Sequence, residues 1–394
     1  MKKLLKKPYR IVILCISLVL VIVSIILSVN VEANYDMTTY LPESSQTKKG
    51  LEVLDQTFGN HAVVELMVDD VSLLEAYTLK QSIQGIEGVL QVVWLDDQAD
   101  ISNPSAIDEA LLRQYYHDGH ALMQVVFVGD AYDLSVESSI NQIISTLQEE
   151  DIYLRGDAIS NIESRDIAEG EMYKIILFIV PICFIILIFA SRSWFEPVIV
   201  LIVLGIGVVI NLGTNIFLPN VSFITLTIAA ALQLAISLDY SLFYIHRFYE
   251  YRDEGYEPLE SVSKAFKKAL PIISASALTT IIGFVALFFM RYKIGMDIGI
   301  VLTKGIVLSY LSVIFVLPVL IIMFEPLLEK LRHRHFMFHI GGLSNILIKY
   351  RYILGLILLV FLVGGIYLNQ NVHYSYGSSE YASDDSKLVQ DDQT

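Results

Sequence analysis

Long, nearly uninterrupted apolar runs are the feature that most restricts how this chain can fold. A helix needs about 20 apolar residues to cross roughly 30 Å of hydrocarbon, and IVILCISLVLVIVSIILSVN at 11–30 meets that length. Of the 394 residues, 54% are hydrophobic, more than in a typical soluble domain. The sequence therefore predicts an α-helical polytopic membrane protein with about seven spans, at 11–30, 173–190, 197–217, 221–246, 270–290, 294–324 and 350–369.

The spacing of these runs predicts the domain organisation. One long hydrophilic segment follows the first run, and a basic linker precedes the last. We expect a cytoplasmic N-terminus and first span at 1–30, an extracytoplasmic domain at 31–171, spans two to six at 172–325, a cytoplasmic basic linker at 326–348, the seventh span at 349–369, and the start of a second, incomplete outer domain at 370–394.

Charge sets the expected orientation and excludes one class of partner. Five basic residues precede the first span, so the N-terminus should be cytoplasmic and the span an uncleaved anchor. The segment 31–171 then lies outside the cytoplasm. It carries 6 Lys and Arg against 27 Asp and Glu, and such a surface repels nucleic acid. No nucleic-acid partner is expected.

The outer segment alternates strand-like and helix-like patterns. Strands are predicted at 61–70, 88–97, 121–130 and 151–156, and helices at 72–83 and 132–150. The order βαββαβ is that of a ferredoxin-like α/β sandwich. Between the fourth and fifth spans, a polar loop at 247–269 leads into EPLESVSKAFKKAL, which predicts an amphipathic interfacial helix ending where Pro271 begins the next span.

An internal similarity appears at a single offset of 341 residues. The matches continue past the apolar runs into polar positions, which makes them more informative than agreement between two spans. They pair Tyr9 with Tyr350, Arg10 with Arg351, Asn30 with Asn371, Tyr35 with Tyr376, Tyr40 with Tyr381 and Ser45 with Ser386. The last span and tail therefore resemble the start of a second copy, so the chain corresponds to a little over half of a repeated transporter architecture.

Asp239 is the most unusual residue, because it stands inside the apolar stretch LTIAAALQLAISLDYSLFYIHRF at 226–248. A charge at mid-bilayer costs at least about 2.5–3.5 kcal/mol, whereas a carboxyl group that exchanges a proton can use a proton gradient. Its depth matches that of Ser276, Thr279 and Thr280 on the next span. The alternative is a structural hydrogen-bonding role. Tyr240 is a candidate functional residue only because it stands beside Asp239, since an aromatic residue in a span usually contributes to packing.

Other polar residues favour ordinary roles, with alternatives left open. Lys304 is expected to snorkel from the outer end of its span, against a role inside a pore. His333, His335 and His339 are expected to flank a cytoplasmic loop, against a metal cluster. The sequence predicts no catalytic residue, cofactor or metal site, because it contains no nucleophile elbow, metal-spaced cluster or P-loop. The two cysteines lie in predicted spans and indicate no disulfide framework.

Several segments resemble the RND superfamily, and within it the MMPL-type exporters of hydrophobic and amphiphilic molecules. The resemblance covers essentially the whole chain and rests on YLPESSQTKKGLEVLDQTFG, SLDYSLFYIHRFYEYRDEG, SALTTIIGFVALFFM and IGMDIGIVLTKGIVLSYLSVIFVLPVL. It implies that 31–171 is a porter domain, that Asp239 and Tyr240 form a proton relay, and that Ser276 belongs to its polar network. The family usually has Gly where this chain has Ser237, and its relay uses a matching pair in a second repeat.

The expected function is proton-motive-force-driven export of a lipid or amphiphile across the cytoplasmic membrane. The partners are then that small molecule, protons, the membrane, and the second repeat that activity requires. One alternative is a lipid-sensing or accessory membrane protein of sterol-sensing-domain type that does not transport. Another is the preprotein-translocation branch of the same superfamily, which the Asp-Tyr pattern disfavours.

Overall fold

The structure is a computed structural model that describes residues 6–147, 151–333, 347–370 and 372. The α-helices are α1 (Lys7–Ser28), α2 (Gln46–Phe58), α3 (Leu73–Gln84), α4 (Glu109–Tyr115), α5 (Leu134–Thr146), α6 (Asp157–Ala190), α7 (Glu196–Gly213), α8 (Phe223–Asp253), α9 (Pro258–Ala286), α10 (Ile294–Phe315), α11 (Leu317–Met323), α12 (Glu325–Lys330) and α13 (Arg351–Gln370). The β-strands are β1 (Ala33–Asn34), β2 (Val63–Val68), β3 (Val89–Val93), β4 (Tyr116–His117), β5 (His120–Phe127), β6 (Ile152–Arg155) and β7 (Val221–Ser222).

Local sequence explains where individual helices begin. At α3, Ser72 and Glu75 form a capping box: the Glu75 N–H donates to Ser72 Oγ at 3.3 Å, and the Ser72 N–H donates to Glu75 Oε2 at 2.8 Å. These bonds satisfy two backbone donors that the first helical turn leaves free. Helices α7 and α9 carry proline in the first turn, where its missing N–H costs nothing.

The outer segment folds around an antiparallel sheet with the strand order β3–β5–β2–β6, and β4 pairs with β5. Burial alternates along β5 from His120 to Phe127, so one face of the sheet points to a core. Residues of α3 and α5, including Ile83 and Ile143, close that core. The strands and helices predicted for this segment are present, with ends that differ from the predicted ones by one to four residues.

Six described helices are long and apolar enough to cross a membrane: α1, α7 with the turn that follows it, α8, α9 with its last turn, α10 with α11, and α13. The predicted span at 173–190 corresponds to Lys174–Ala190, a shorter apolar stretch. It forms the C-terminal half of α6, whose first half belongs to the outer segment. The boundary expected at 171–172 therefore falls inside one continuous helix.

The membrane helices form a bundle in which α10 packs against α7, α8 and α9. Helix α1 packs along α7, and α6 packs against α7 and α8. A short parallel pairing of β1 with β7 joins the chain after α1 to the start of α8. This pairing connects the sheet-containing segment to the spans.

The helix predicted at EPLESVSKAFKKAL is present, but the polar loop predicted at 247–269 is largely helical, and the helix does not end where Pro271 begins the next span. Helix α8 continues to Asp253, and α9 runs without a break from Pro258, with Pro271 inside it. Proline removes one backbone hydrogen bond, but tertiary packing supplies most of the stability of a helix in a protein. Ala269 and Ile273, on either side of the proline, are buried in the bundle core.

Several predicted features lie outside the described residues. They are the linker residues His335 and His339, and the tail positions Asn371, Tyr376, Tyr381 and Ser386 of the internal repeat.

Candidate functional site

Asp239 lies on an outward face of α8. Leu232, Ala235, Asp239 and Phe243 are all exposed, and their spacing of three or four residues places them on one stripe of the helix. Asp239 is 16 residues after Phe223, about 24 Å along the helix axis. The carboxylate therefore points away from the described bundle at membrane depth.

Tyr240 turns toward the bundle and is 1% exposed. Its hydroxyl faces the side chain of Thr280 on α9, but makes no hydrogen bond of normal geometry within the described residues. Thr280 Oγ1 instead donates to the Ser276 carbonyl at 3.1 Å. The structure thus brings Tyr240 and Thr280 together across the α8–α9 interface.

Ser276 and Thr279 are on the exposed side of α9. Thr279 Oγ1 donates to the Ala275 carbonyl at 2.9 Å, and within the described residues Asp239 makes no hydrogen bond with a hydroxyl of α9. Ser274, two residues before Ser276, forms a 2.7 Å hydrogen bond with the Tyr310 hydroxyl of α10. Residue counting along the spans puts Ser276, Thr279 and Thr280 at the depth of Asp239. The rotation of each helix about its axis decides which of their hydroxyls face a partner.

A second polar set, which the sequence analysis missed, occupies the bundle interior around Gln233. Gln233 Nε2 donates to the Gly305 carbonyl and to Ser309 Oγ, each at 2.9 Å, and Asn211 Nδ2 donates to Gln233 Oε1 at 2.9 Å. These bonds tie α7, α8 and α10 together. The signal that could have found them was the presence of Gln233 and Asn211 inside otherwise apolar runs.

Lys304 extends this set toward the end of α7. Its Nζ donates to the Asn211 carbonyl at 3.1 Å and to Asn215 Oδ1 at 2.6 Å. A cation is stabilised at a helix C-terminus by unpaired carbonyls and by the helix dipole. The ammonium group therefore finds partners inside the bundle and does not snorkel to water as expected from the sequence.

Asp297 is a second membrane carboxylate that the sequence analysis missed. It is 8% exposed, and its Oδ2 accepts hydrogen bonds from the Ser222 N–H at 2.9 Å and from Thr225 Oγ1 at 2.5 Å. Ser222 is the N-cap of α8 and Thr225 lies in its first turn, where a negative charge is favoured. Asp297 thus links the start of α8 to α10. Its sequence signal was an acidic residue at the start of the sixth apolar run.

A charged cluster lies at the other end of α8. Glu196 is fully buried and accepts the Arg192 N–H at 2.9 Å. Asp253 forms salt bridges with Arg192 and Arg332, and both guanidinium groups lie over the ring of Tyr249. The network continues through Arg332–Glu329, Glu329–Arg252 and Arg252–Glu325. It clamps the end of α8 to the α6–α7 turn and to α12.

Within the described residues, no group of three or more His, Cys, Asp or Glu side chains is placed to hold a metal ion. His333, the one member of the histidine run that the structure describes, packs against Trp194 with ring centroids 4.8 Å apart.

A bundle of membrane-length helices and an antiparallel α/β segment define the class of multi-pass membrane proteins. The MMPL family model matches residues 41–336. The chain belongs to the MMPL family, whose members are RND-type transporters, and the resemblance inferred from its motifs is confirmed.

The chain is also similar to the "Probable transport protein MmpL12" of Mycobacterium tuberculosis, from strain CDC 1551 / Oshkosh and from strain ATCC 25618 / H37Rv. Each match is 24% identical over 174 residues, which is 43% of this chain and 15% of the relative. The aligned region thus spans less than a sixth of the length of these curated relatives.

Proposed function

We propose that this protein exports a lipid or another amphiphile across the cytoplasmic membrane, and that proton flow through Asp239 drives the export. The observation that carries this proposal is the position of Asp239 on an outward face of α8 at membrane depth. A charged group facing lipid there costs at least about 2.5–3.5 kcal/mol. A carboxyl group that takes up and releases a proton is neutral for part of the time and then avoids this cost. Proton exchange therefore gives a reason for a carboxyl group at this position.

The proposal places a second set of membrane helices over the stripe formed by Leu232, Ala235, Asp239 and Phe243. Leu232, Ala235 and Phe243 are apolar side chains that can pack against other helices in a membrane, and a polar partner on the covering helices would shield the carboxylate. The partial repeat at offset 341 supports such a second bundle. In this arrangement Tyr240 and Thr280 orient the proton, and Ser276 and Thr279 complete the polar surroundings.

The outer segment is proposed to be a porter domain of ferredoxin-like fold that receives the amphiphile. Its strand order β3–β5–β2–β6 supports that fold. Along the chain, α3 follows β2 and α5 follows β5, as in the predicted order βαββαβ. Movement of α6 transmits the proton step, because this one helix runs from the sheet-containing segment into the membrane. Each proton supplies about 2.3 kcal/mol per 100 mV and about 1.4 kcal/mol per pH unit.

The test replaces Asp239 in protein expressed from its complete gene. Asp239→Asn keeps the size and most of the hydrogen bonding but cannot exchange a proton. We expect it to abolish accumulation of a fluorescent amphiphile in energised inverted membrane vesicles, at unchanged expression. Ser276→Ala should reduce transport least, since it removes a hydroxyl worth about 1 kcal/mol, and Tyr240→Phe should lie between the two.

The alternative is a lipid-sensing membrane protein in which Asp239 is only a structural hydrogen-bonding group. Transport by Asp239→Asn within a few-fold of the unchanged protein would contradict the relay. Amphiphile accumulation that continues after the proton gradient is collapsed would also contradict it.

A further inference from the structure

A large cavity lies where the outer segment meets the outer end of the membrane bundle. Its volume is about 1140 Å³, which is enough for a drug-sized or lipid-sized molecule. Its lining includes Leu212, Phe223 and Leu226 of α7 and α8, together with Tyr132 and the loop and helix that follow it. The lining thus combines residues of the membrane helices with residues of the outer segment.

The wall near the membrane is apolar and aromatic. Tyr35 and Phe223 stack with ring centroids 5.1 Å apart and an interplanar angle of 12°, and Tyr132 also lines the cavity. Aromatic faces attract cations, and pockets for quaternary ammonium groups use them. The guanidinium of Arg165 already lies 5.9 Å from the centre of the Tyr35 ring.

The rim carries an excess of negative charge. Four carboxylates line the cavity, from Glu32, Asp133, Glu137 and Asp166, and among the described lining residues Arg165 is the one Lys or Arg. Arg165 forms a salt bridge with Glu137, so three carboxylates remain without a cation in this cavity. Glu32 and Asp166 are exposed, which leaves them open to a ligand.

The surroundings of Tyr132 agree with a negative potential at this wall. Burial raises the pKa of the Tyr132 hydroxyl, and the carboxylates of Asp36, Asp157 and Asp130 raise it further. An anion is disfavoured by the same field, and a cation is favoured.

We propose that this cavity binds cationic amphiphiles, with the hydrocarbon chain against Phe223 and Leu226 and the cationic head group between the aromatic rings and the carboxylates of Glu32 and Asp166. The proposal rests on the proposed export function, because it names the chemical class of the exported amphiphile. A fatty acid or an anionic lipid would place its charge against like charges and is disfavoured.

The experiment uses two photoreactive probes with the same diazirine-bearing hexadecyl chain. One probe has a trimethylammonium head group and the other a sulfate head group. Membranes that contain the complete protein are irradiated with each probe, and labelled peptides are mapped by mass spectrometry. We expect the cationic probe to label peptides containing Tyr132 or Phe223 at least about fivefold more than the anionic probe.

Two double variants separate the cavity from the general acidity of the segment. Glu32→Gln with Asp166→Asn should lower cationic labelling at least about fivefold. Glu52→Gln with Asp55→Asn removes the same charge from exposed positions on α2 and should leave labelling within about twofold. Equal labelling by both probes would overturn the proposal, and so would retained labelling in the cavity variant.

The assay needs no proton gradient, so it also separates this proposal from the relay. Asp239→Asn protein should label like the unchanged protein. If labelling meets these expectations while Asp239→Asn still transports, the relay fails and the binding site stands. If the relay holds and the cationic probe shows no preference, the substrate class is wrong and the export function stands.

Discussion

At the scale of single residues, Lys80 is a charged side chain that is buried in the outer segment. Its side chain is 3% exposed and bonds to Asp96 at 2.6 Å and to Asp97 at 2.7 Å. Asp97 also accepts the N–H of Trp94 at 2.9 Å. Burial opposes the charged form of Lys80, but the two carboxylates raise its pKa overall. Burial likewise opposes the charged form of Asp97, but Lys80 and the Trp94 N–H lower its pKa.

These shifts predict a dependence of stability on pH. The lowered pKa of Asp97 contributes stability that is complete above its ordinary value, near 3.9, and is lost as pH falls through the folded value. The raised pKa of Lys80 contributes stability that is complete below its ordinary value, near 10.4, and is lost as pH rises through the folded value. Lys80→Met should therefore cost about 1–3 kcal/mol at neutral pH and less in acid.

Trp94 provides the measurement, since it is fully buried beside this cluster. In a Trp194→Phe background it is the remaining tryptophan of the chain, and urea unfolding can be followed by its fluorescence at pH 7 and at about pH 2, below the ordinary pKa of an aspartate. Lys49→Met removes an exposed lysine and serves as the control. An unfolding midpoint for Lys80→Met equal to that of the control would show that the buried pair contributes no stability.

At the scale of elements, the polar set around Gln233 depends on close packing of three helices. A Cβ atom added to Gly305 would lie 2.7 Å from Asn211 Nδ2 and 2.8 Å from Gln233 Oε1. Small residues let two helix backbones approach each other closely in a membrane. Here the close approach of α8 and α10 lets the Gly305 carbonyl accept a hydrogen bond from Gln233 Nε2. The glycine is thus required by the hydrogen bonds around it.

Gly305→Ala should destabilise the bundle, because the methyl group pushes Gln233 and Asn211 apart and weakens buried hydrogen bonds worth about 1 kcal/mol each. Gly283→Ala is the matched control, because no atom lies within 4 Å of a Cβ there and alanine favours the helix. Thermal unfolding in detergent should show a lower midpoint for Gly305→Ala and an equal or higher one for Gly283→Ala. A lower midpoint for Gly283→Ala than for Gly305→Ala would mean that α7, α8 and α10 leave room for a methyl group at Gly305.

At the scale of the whole molecule, the orientation in the membrane can be tested with exposed positions at both ends of the bundle. Ser138 lies on the outer segment and Glu257 in the turn between α8 and α9, and both are exposed. Cys15 and Cys183 are the two cysteines and are replaced by alanine first. Ser138→Cys should react with an impermeant thiol reagent in intact cells, because positive loops stay cytoplasmic.

Glu257→Cys should react only after the cells are permeabilised. Labelling of Glu257→Cys in intact cells, with Ser138→Cys protected, would reverse the orientation. The segment that carries the cavity would then face the cytoplasm.

The sequence by itself determined the features that local patterns control. Hydrophobic runs of membrane length predicted the spans, and alternation with period two or 3.6 predicted the strands and helices of the outer segment. Motif spacing also indicated the family to which the chain belongs. These features depend on neighbours in the chain, so one sequence is enough to see them.

Tertiary structure alone decided which side chains meet. Two helices can place residues at equal depth while their rotation turns one hydroxyl inward and another outward, as for Thr280 and Ser276. Packing carried α9 through Pro271. Asp297 found its donors on α8, more than 70 residues away in the chain. Such contacts are set by packing and by the need to pair buried polar groups. Local sequence patterns do not show which side chains will form them.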